Sequence, residues 1–318
     1  MKVKPSSSGG FLIFIRFMKT LIVILGPTAS GKTALSIKIA RFLGTEIVNA
    51  DSRQFYKTMD IGTAKPGTDE LNAVKHHFIN TLSPEDDYTV GKFENEALIT
   101  LESIFQKHDQ ALLVGGSGLY IRAVCEGLDE LPESDPEIRS RLNQKFQEQG
   151  IAALQKELQA LDPEYYMEVD RMNPHRLIRA IEVCLLSGEK YSVLRKSAPK
   201  NRSFQLLKIG LLPEREVMYE RINLRVEQMI NDGLVEEVRK LQAYKNCNAL
   251  HTVGYQELFP YLENQTTLEQ AVDEIKKNSR RYAKRQVTWF KKDTSIHWFQ
   301  PEMEDEIFEL IKPFQQKS

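Results

Sequence analysis

Hydrophobic residues along this chain fall into two patterns. Five short runs, at 21–26, 46–51, 76–80, 111–116 and 206–212, are dense in Ile, Leu and Val without clean alternation. Such runs predict strands buried on both faces of a parallel sheet. Between them apolar residues recur at helical spacing, most clearly over 32–43 and 92–107. Strand and helix in alternation predict an α/β fold with right-handed crossovers.

The pattern changes between the fourth and fifth runs. From 132 to 198 the apolar spacing is helical throughout, with Ser134-Asp135-Pro136 and Asp162-Pro163-Glu164 as helix-start signals. This predicts an all-α insertion in the α/β core. After the fifth run, Pro213 opens a second helical region. The expected organisation is a core over 18–131, the insertion over 132–198, and the last strand with C-terminal helices over 199–318. Residues 1–17 are expected to be a disordered extension. The stretch FLIFIRFMKTLIVIL is apolar, but Arg16 and Lys19 interrupt it and it falls short of the roughly 20 residues a membrane span needs. No membrane association is expected, and a chain starting at Met18 should retain full activity.

Charge adds little globally: 43 basic and 44 acidic residues give a net −1. Cys125, Cys184 and Cys247 form no CxxC pair or metal-ligand spacing, which predicts reduced thiols in a cytoplasmic protein. His76 and His77 are adjacent on a predicted strand and point to opposite faces, so they are not read as a metal pair.

The first motif with chemistry is Gly26-Pro27-Thr28-Ala29-Ser30-Gly31-Lys32-Thr33, which fits GxxxxGK[ST] between a strand and a helix. Glycines let backbone N–H groups converge on phosphate oxygens, and the helix N-terminus adds positive potential. Lys32 brings a full charge, and Thr33 is the candidate ligand for Mg²⁺. The fourth run ends in Gly115-Gly116-Ser117 with no carboxylate for a nucleotide-bound metal, which counts against a motor or switch. Small P-loop kinases and enzymes that use a diphosphate otherwise both stay open. So does an RNA-binding protein whose loop is a regulatory nucleotide site. Asp51 closes the second run, at the end of a strand where open α/β sheets bind ligands, and Ser52, Arg53, Gln54 and Tyr56 follow it. An acid there could take a proton from an incoming nucleophile.

GPTASGKT, NADSRQFYKTMDIGTAKP, VGGSGLYI, MNPHRLIRAIEV, NDGLVEEV, HTVGYQEL and SRRYAKRQVTWF occur in that order. Together they resemble the tRNA dimethylallyltransferases, also called tRNA isopentenyltransferases, over nearly the whole chain from Met18. The resemblance implies a P-loop NTPase-like core with a tRNA-binding insertion. It implies transfer of a dimethylallyl group from dimethylallyl diphosphate, with Mg²⁺, to N6 of the adenine 3′ to the anticodon (position 37) in tRNAs reading codons that begin with U. The loop then holds a leaving pyrophosphate. An allylic carbon readily bears positive charge as its C–O bond breaks, so cations around the departing oxygens matter most. A monomer acting on the anticodon stem-loop is expected.

Residue by residue, the resemblance makes Asp51 the general base. Ser117 stands where the family usually has Thr in GGTGLY; it keeps the hydroxyl and loses the methyl, and the resemblance makes it a catalytic and tRNA-contacting residue that can hydrogen-bond near the reaction channel. Arg280 aligns with the arginine expected on pyrophosphate, in preference to Arg285. Asp51, Ser52, Arg53 and Gln54 are placed to hold the target base, which must leave its stack. In the insertion, His175, Arg176, Leu177, Ile178 and Arg179 match the tRNA-contacting stretch, with Leu177 and Ile178 also packing the insertion; Arg139 is a weaker match. Thr252, Gly254, Tyr255 and Gln256 match a tRNA-facing loop.

Two basic clusters suit an RNA partner. Residues 276–292 carry eight Lys/Arg and no acid, with Tyr282, Gln286, Trp289 and Phe290 on the opposite helix side. Residues 171–202 carry eight Lys/Arg against Glu182 and Glu189, and phosphate contacts of this kind weaken steeply with salt.

Overall fold

The structure is a computed structural model and describes residues 19–195 and 198–315. The extension expected over 1–17 lies outside the described residues. The chain divides into two compact units. One holds the described residues through Cys125 and from Arg202 onward; the other spans Glu126–Asn201.

The first unit begins β1 (Thr20–Leu25), α1 (Lys32–Leu43), β2 (Ile47–Asn49), α2 (Thr68–Ala73), β3 (His76–His77), α3 (Val90–Phe105), β4 (Gln110–Gly115) and α4 (Gly118–Glu126). The second unit contains α5 (Pro136–Gln149), α6 (Ile151–Leu161), α7 (Pro163–Glu168), α8 (Pro174–Ser187) and α9 (Tyr191–Leu194). The first unit resumes with β5 (Gln205–Leu211), α10 (Arg215–Asn231), α11 (Leu234–Lys240), α12 (Leu258–Leu262), α13 (Leu268–Phe290), β6 (Ile296–Phe299) and α14 (Glu304–Ile311).

Among the described residues the sheet is six-stranded, ordered β3-β2-β4-β1-β5-β6, with every pair parallel. β1 lies between β4 and β5, with Leu25 paired to Gly115 and Gly210. Its residues alternate between two cores: Leu21, Val23 and Leu25 pack with α3, and Ile22 and Ile24 pack with α1. Burial on both faces is why β1 reads as an unbroken apolar run. β6 escaped the sequence pattern because it is a four-residue edge strand with only Ile296 buried. The third run is also shorter than expected. Phe78 and Asn80 take φ of 61° and 56°, which ends the extended backbone after His77.

In the second unit, Leu142, Leu154, Leu158, Leu177, Ile178 and Ile181 form the core. Three of its helices start alike. Asp135, Asp162 and Asn173 each accept from backbone N–H groups of the first turn, and a proline follows each. Pro at the first position gives up an N–H that lacks a partner anyway, and each cap is worth about 1 kcal/mol. No described helix is long and apolar enough to cross a membrane.

Candidate active site

Parallel topology brings the C-terminal ends of β1, β2 and β4 to one edge, and the chemistry-bearing residues follow directly from those ends. After β1, Gly26 has φ +150°, and a Cβ there would lie 2.4 Å from the Leu211 carbonyl oxygen. The loop continues through Ala29 at φ 62° and Gly31 at φ 89° into α1. Lys32 folds back over it, donating to Pro27 O at 2.6 Å and Ser30 Oγ at 3.5 Å. Gln286 of α13 fixes the loop from outside. Its Oε1 accepts from the Thr28 N–H at 2.9 Å, and its Nε2 donates to Gly116 O at 2.9 Å. One buried amide therefore couples the β1 loop to the end of β4.

Asp51 follows β2. Its Oδ1 accepts from the Arg53 N–H, and its own N–H donates to Asn49 Oδ1, both at 3.2 Å. After β4, Ser117 Oγ accepts from the Ser52 N–H at 3.2 Å, lies 3.3 Å from Ser52 Oγ, and is hydrogen-bonded to Tyr282. Ser117 thus joins the Asp51 turn to α13.

These elements surround a cavity of about 560 Å³ within the first unit. Residues 28–33 of the loop line it, as do Asp51, Ser52, Arg53 and Gln54, and α10 and α13 close it with Arg225, Tyr282 and Arg285. Cations outnumber carboxylates around it: Lys32, Arg53, Arg225 and Arg285 face Asp51 and Glu70. Burial lowers the Lys32 pKa to about 8, against the pull of Asp51 and with the help of Arg225. Burial raises Asp51, and the Arg53 N–H, Lys32, Arg53 and Arg225 draw it back. Burial and then Asp51 push the Tyr282 phenol up to about 12, so it stays neutral. Burial lowers Arg225 while Asp51 raises it. An anionic ligand in this cavity would relieve the crowding of positive charge.

The residues singled out from sequence are distributed unevenly. Residues 28–33 of the phosphate loop, Asp51, Ser52, Arg53 and Gln54 meet in the cavity, with Thr252, Gly254 and Gln256, whereas Gly26, Pro27 and Ser117 do not line it. Tyr255 does not reach it: its side chain is fully buried and its hydroxyl donates to Glu237 at 2.6 Å. Arg280 does not line the cavity either, since it donates to Asn223 Oδ1 on α10 at 2.6 Å, whereas Arg285 does line it. Arg225 went unnoticed in the sequence because INLRVEQ reads as an ordinary amphipathic helix.

In the second unit, His175 and Arg176 are exposed, and Leu177 and Ile178 are buried in the core. Arg139 and Arg179 both donate to Oε2 of the fully buried Glu182, at 3.0 and 2.8 Å. Burial would raise Glu182, but Ser134 and these two arginines hold it below the usual carboxylate range. The two arginines therefore have a structural partner already. His76 contacts Val74 O while His77 pairs with Glu46, and no described cluster of His, Cys, Asp or Glu could hold a metal ion.

A parallel sheet, a glycine-rich loop entering a helix, a cationic cavity and a carboxylate at the strand ends define a P-loop protein with a site built for a phosphorylated ligand. Comparison with known proteins narrows the class. The sequence profile of the family described as IPP transferase matches residues 54–293. The tRNA dimethylallyltransferase of Christiangramia forsetii is 55% identical over 293 residues, covering 92% of this chain and 97% of that protein. The tRNA dimethylallyltransferase 1 of Bacteroides thetaiotaomicron is 46% identical, covering 93% and 96%. Among solved structures, the full-length tRNA isopentenylpyrophosphate transferase of Bacillus halodurans superposes with a TM-score of 0.69 at 36% identity, covering 93% of this chain and 97% of its own. A eukaryotic dimethylallyltransferase acting on tRNA gives a TM-score of 0.75 at 25% identity, covering 89% and 74%. This chain belongs to the IPP transferase family.

Proposed function

We propose that this protein transfers the dimethylallyl group of dimethylallyl diphosphate to N6 of the adenine at position 37, 3′ to the anticodon, in tRNAs reading codons that begin with U. Pyrophosphate leaves. The observation that carries this reading is the meeting of phosphate loop, Lys32, Arg225, Arg285 and Asp51 in one cavity. Loop N–H groups and the three cations grip the diphosphate and take up negative charge as the allylic C–O bond breaks. The amino nitrogen of adenine then bonds to the allylic carbon, and Asp51 accepts the proton that nitrogen sheds. Ser117 holds Ser52 and Tyr282, keeping the Asp51 turn in place. The base leaves its stack to enter the cavity, and Arg53 and Gln54 hold it there.

Mg²⁺ fits this site as a companion of the diphosphate. Thr33 lines the cavity, but no group of three or more His, Cys, Asp or Glu among the described residues could hold a metal ion, so diphosphate oxygens would supply most of the ligands. When bound, the ion neutralises charge on the leaving group. Of the insertion residues matched to tRNA contact, His175 and Arg176 are exposed and have no carboxylate partner among the described residues, so they are the ones proposed to meet tRNA phosphate. The protein is proposed to work as a monomer, and in the cytoplasm, where its free cysteines stay reduced.

Incubation with labelled donor and unmodified tRNA, followed by nucleoside analysis, tests the reading. Label on the adenine 3′ to the anticodon is expected. A phosphorylated product with ATP, or RNA binding without any covalent product, would overturn it.

A further inference from the structure

Glu237, on α11, is the second glutamate of NDGLVEEV, a motif given no role above, yet among the described residues its carboxylate is one of the most heavily used. Oε2 accepts from the backbone N–H groups of Asp60 at 3.0 Å and Ile61 at 2.8 Å. Oε1 accepts from the Gly62 N–H at 3.0 Å and the Tyr255 hydroxyl at 2.6 Å. Three consecutive N–H groups and a buried phenol thus converge on one side chain. The segment is held on two further sides. The Lys65 ammonium, almost wholly buried, donates to Tyr56 O, Asp60 Oδ1 and Asn80 Oδ1. Gly62 lies so close to the Tyr255 ring that a Cβ would meet it at 2.5 Å.

What this segment does becomes clear at its far end. Gln54 Nε2 donates to Thr63 O at 3.1 Å and Ala64 O at 3.2 Å. Carbonyl oxygens only accept, so the two bonds fix which end of the amide is nitrogen. Its Oε1 is left without a donor among the described residues, on a side chain that lines the cavity. The donors on adenine's ring are its amino hydrogens. Asp51 takes one; a fixed acceptor is suited to the other.

We propose that Glu237 is a positioning residue for the RNA base: by clamping 60–62 it sets the Thr63 and Ala64 carbonyls, and these turn Gln54 Oε1 toward the adenine amino group. The inference rests on the adenine-transfer reading above and adds to it the part of the fold that orients the base. A carboxylate suits this clamp because both its oxygens accept. In Glu237→Gln one of them becomes an amide that must face backbone N–H groups, so part of the clamp is lost.

The experiment compares wild type, Glu237→Gln, Gln54→Ala and the double variant with an anticodon stem-loop RNA. KM for RNA, KM for the diphosphate donor, and RNA Kd without donor are measured. Losing one oriented hydrogen bond corresponds to about a 3–10-fold rise in RNA KM and Kd for each single variant. Donor KM should stay within about twofold. The double variant should be no weaker than the worse single, because both changes remove the same contact. Backbone amide exchange at 60–62 should quicken in Glu237→Gln and not in Gln54→Ala. Should Glu237→Gln fail to fold, Tyr255→Phe removes one of the four donors and keeps the ring; its RNA KM and Kd should rise about twofold. Multiplying effects in the double variant, equal shifts in donor and RNA KM, or unchanged RNA affinity in a folded variant would each overturn the proposal. Kd and amide exchange are read without turnover, so an inactive wild type would refute the transfer reading separately.

Discussion

Lys32→Met should make this protein more stable and unable to use its donor. The Lys32 ammonium is held at a pKa of about 8, against an ordinary 10.5, chiefly because it is buried. Keeping it charged in the ligand-free fold corresponds to about 3 kcal/mol of lost stability. Its side chain keeps some contact with water and donates to Pro27 O, so we discount this to about 1–3 kcal/mol. The sign follows from proton binding. Between pH 8 and 10.5 the unfolded chain holds a proton at Lys32 that the folded chain has released, so wild-type stability rises with pH across that window. Below pH 8 the penalty is complete. Methionine has similar length and no charge, and escapes the penalty at every pH. Ligand-free Lys32→Met should therefore unfold a few degrees above wild type at pH 7, with the gap closing toward pH 10.5. Thermal unfolding of both proteins from pH 7 to 10 measures this. A variant melting at or below wild type at pH 7, or a gap that ignores pH, would show that the buried Lys32 charge does not cost the fold stability. The donor should restore wild-type stability by binding, and do little for the variant.

Asp51→Asn keeps an acceptor for the Arg53 N–H, so the turn should survive while kcat falls by about 10²–10⁴-fold and RNA Kd stays near wild type; single-turnover rates and binding measured together check this. Arg225→Ala should raise donor KM by about tenfold or more, whereas Arg280→Ala, which loses the Asn223 bond, should lower the unfolding midpoint with donor KM little changed; steady-state kinetics and melting separate the two. Arg139→Ala with Arg179→Ala leaves Glu182 buried without its cations and should destabilise the second unit by about 3–5 kcal/mol, seen in denaturant unfolding. Arg176→Ala should instead leave stability intact and flatten the salt dependence of tRNA binding. Chelation of Mg²⁺ should lower turnover with little effect on tRNA Kd, which paired activity and binding assays would show.

The sequence displayed what is repeated locally. Strands buried on both faces announce themselves as apolar runs, and the phosphate loop carries its own spacing, so β1, β4 and residues 26–33 were readable. Asp51 was readable because it ends such a run. Residues whose role depends on distant partners were not. Arg225 lies on an unremarkable helix and acquires meaning only where α10 crosses the cavity. Gln286 looked like part of an apolar face until its amide proved to bridge Thr28 and Gly116. Arg280 and Arg285 are indistinguishable in a basic run; a five-residue offset rotates one toward Asn223 and the other to the cavity. Tyr255 and Arg179 sat in motifs read as RNA-facing, and the fold pairs Tyr255 with the Glu237 carboxylate and Arg179 with the buried Glu182.

If the phosphate loop holds the leaving group, pyrophosphate and modified base must appear together. A single-turnover reaction with dimethylallyl diphosphate and unmodified tRNA, following pyrophosphate and modified adenosine together, tests it most directly. Release of intact pyrophosphate in step with an adenosine carrying the five-carbon group on N6 is the predicted result. Pyrophosphate without a modified base, or a phosphoryl group on any acceptor, would contradict it.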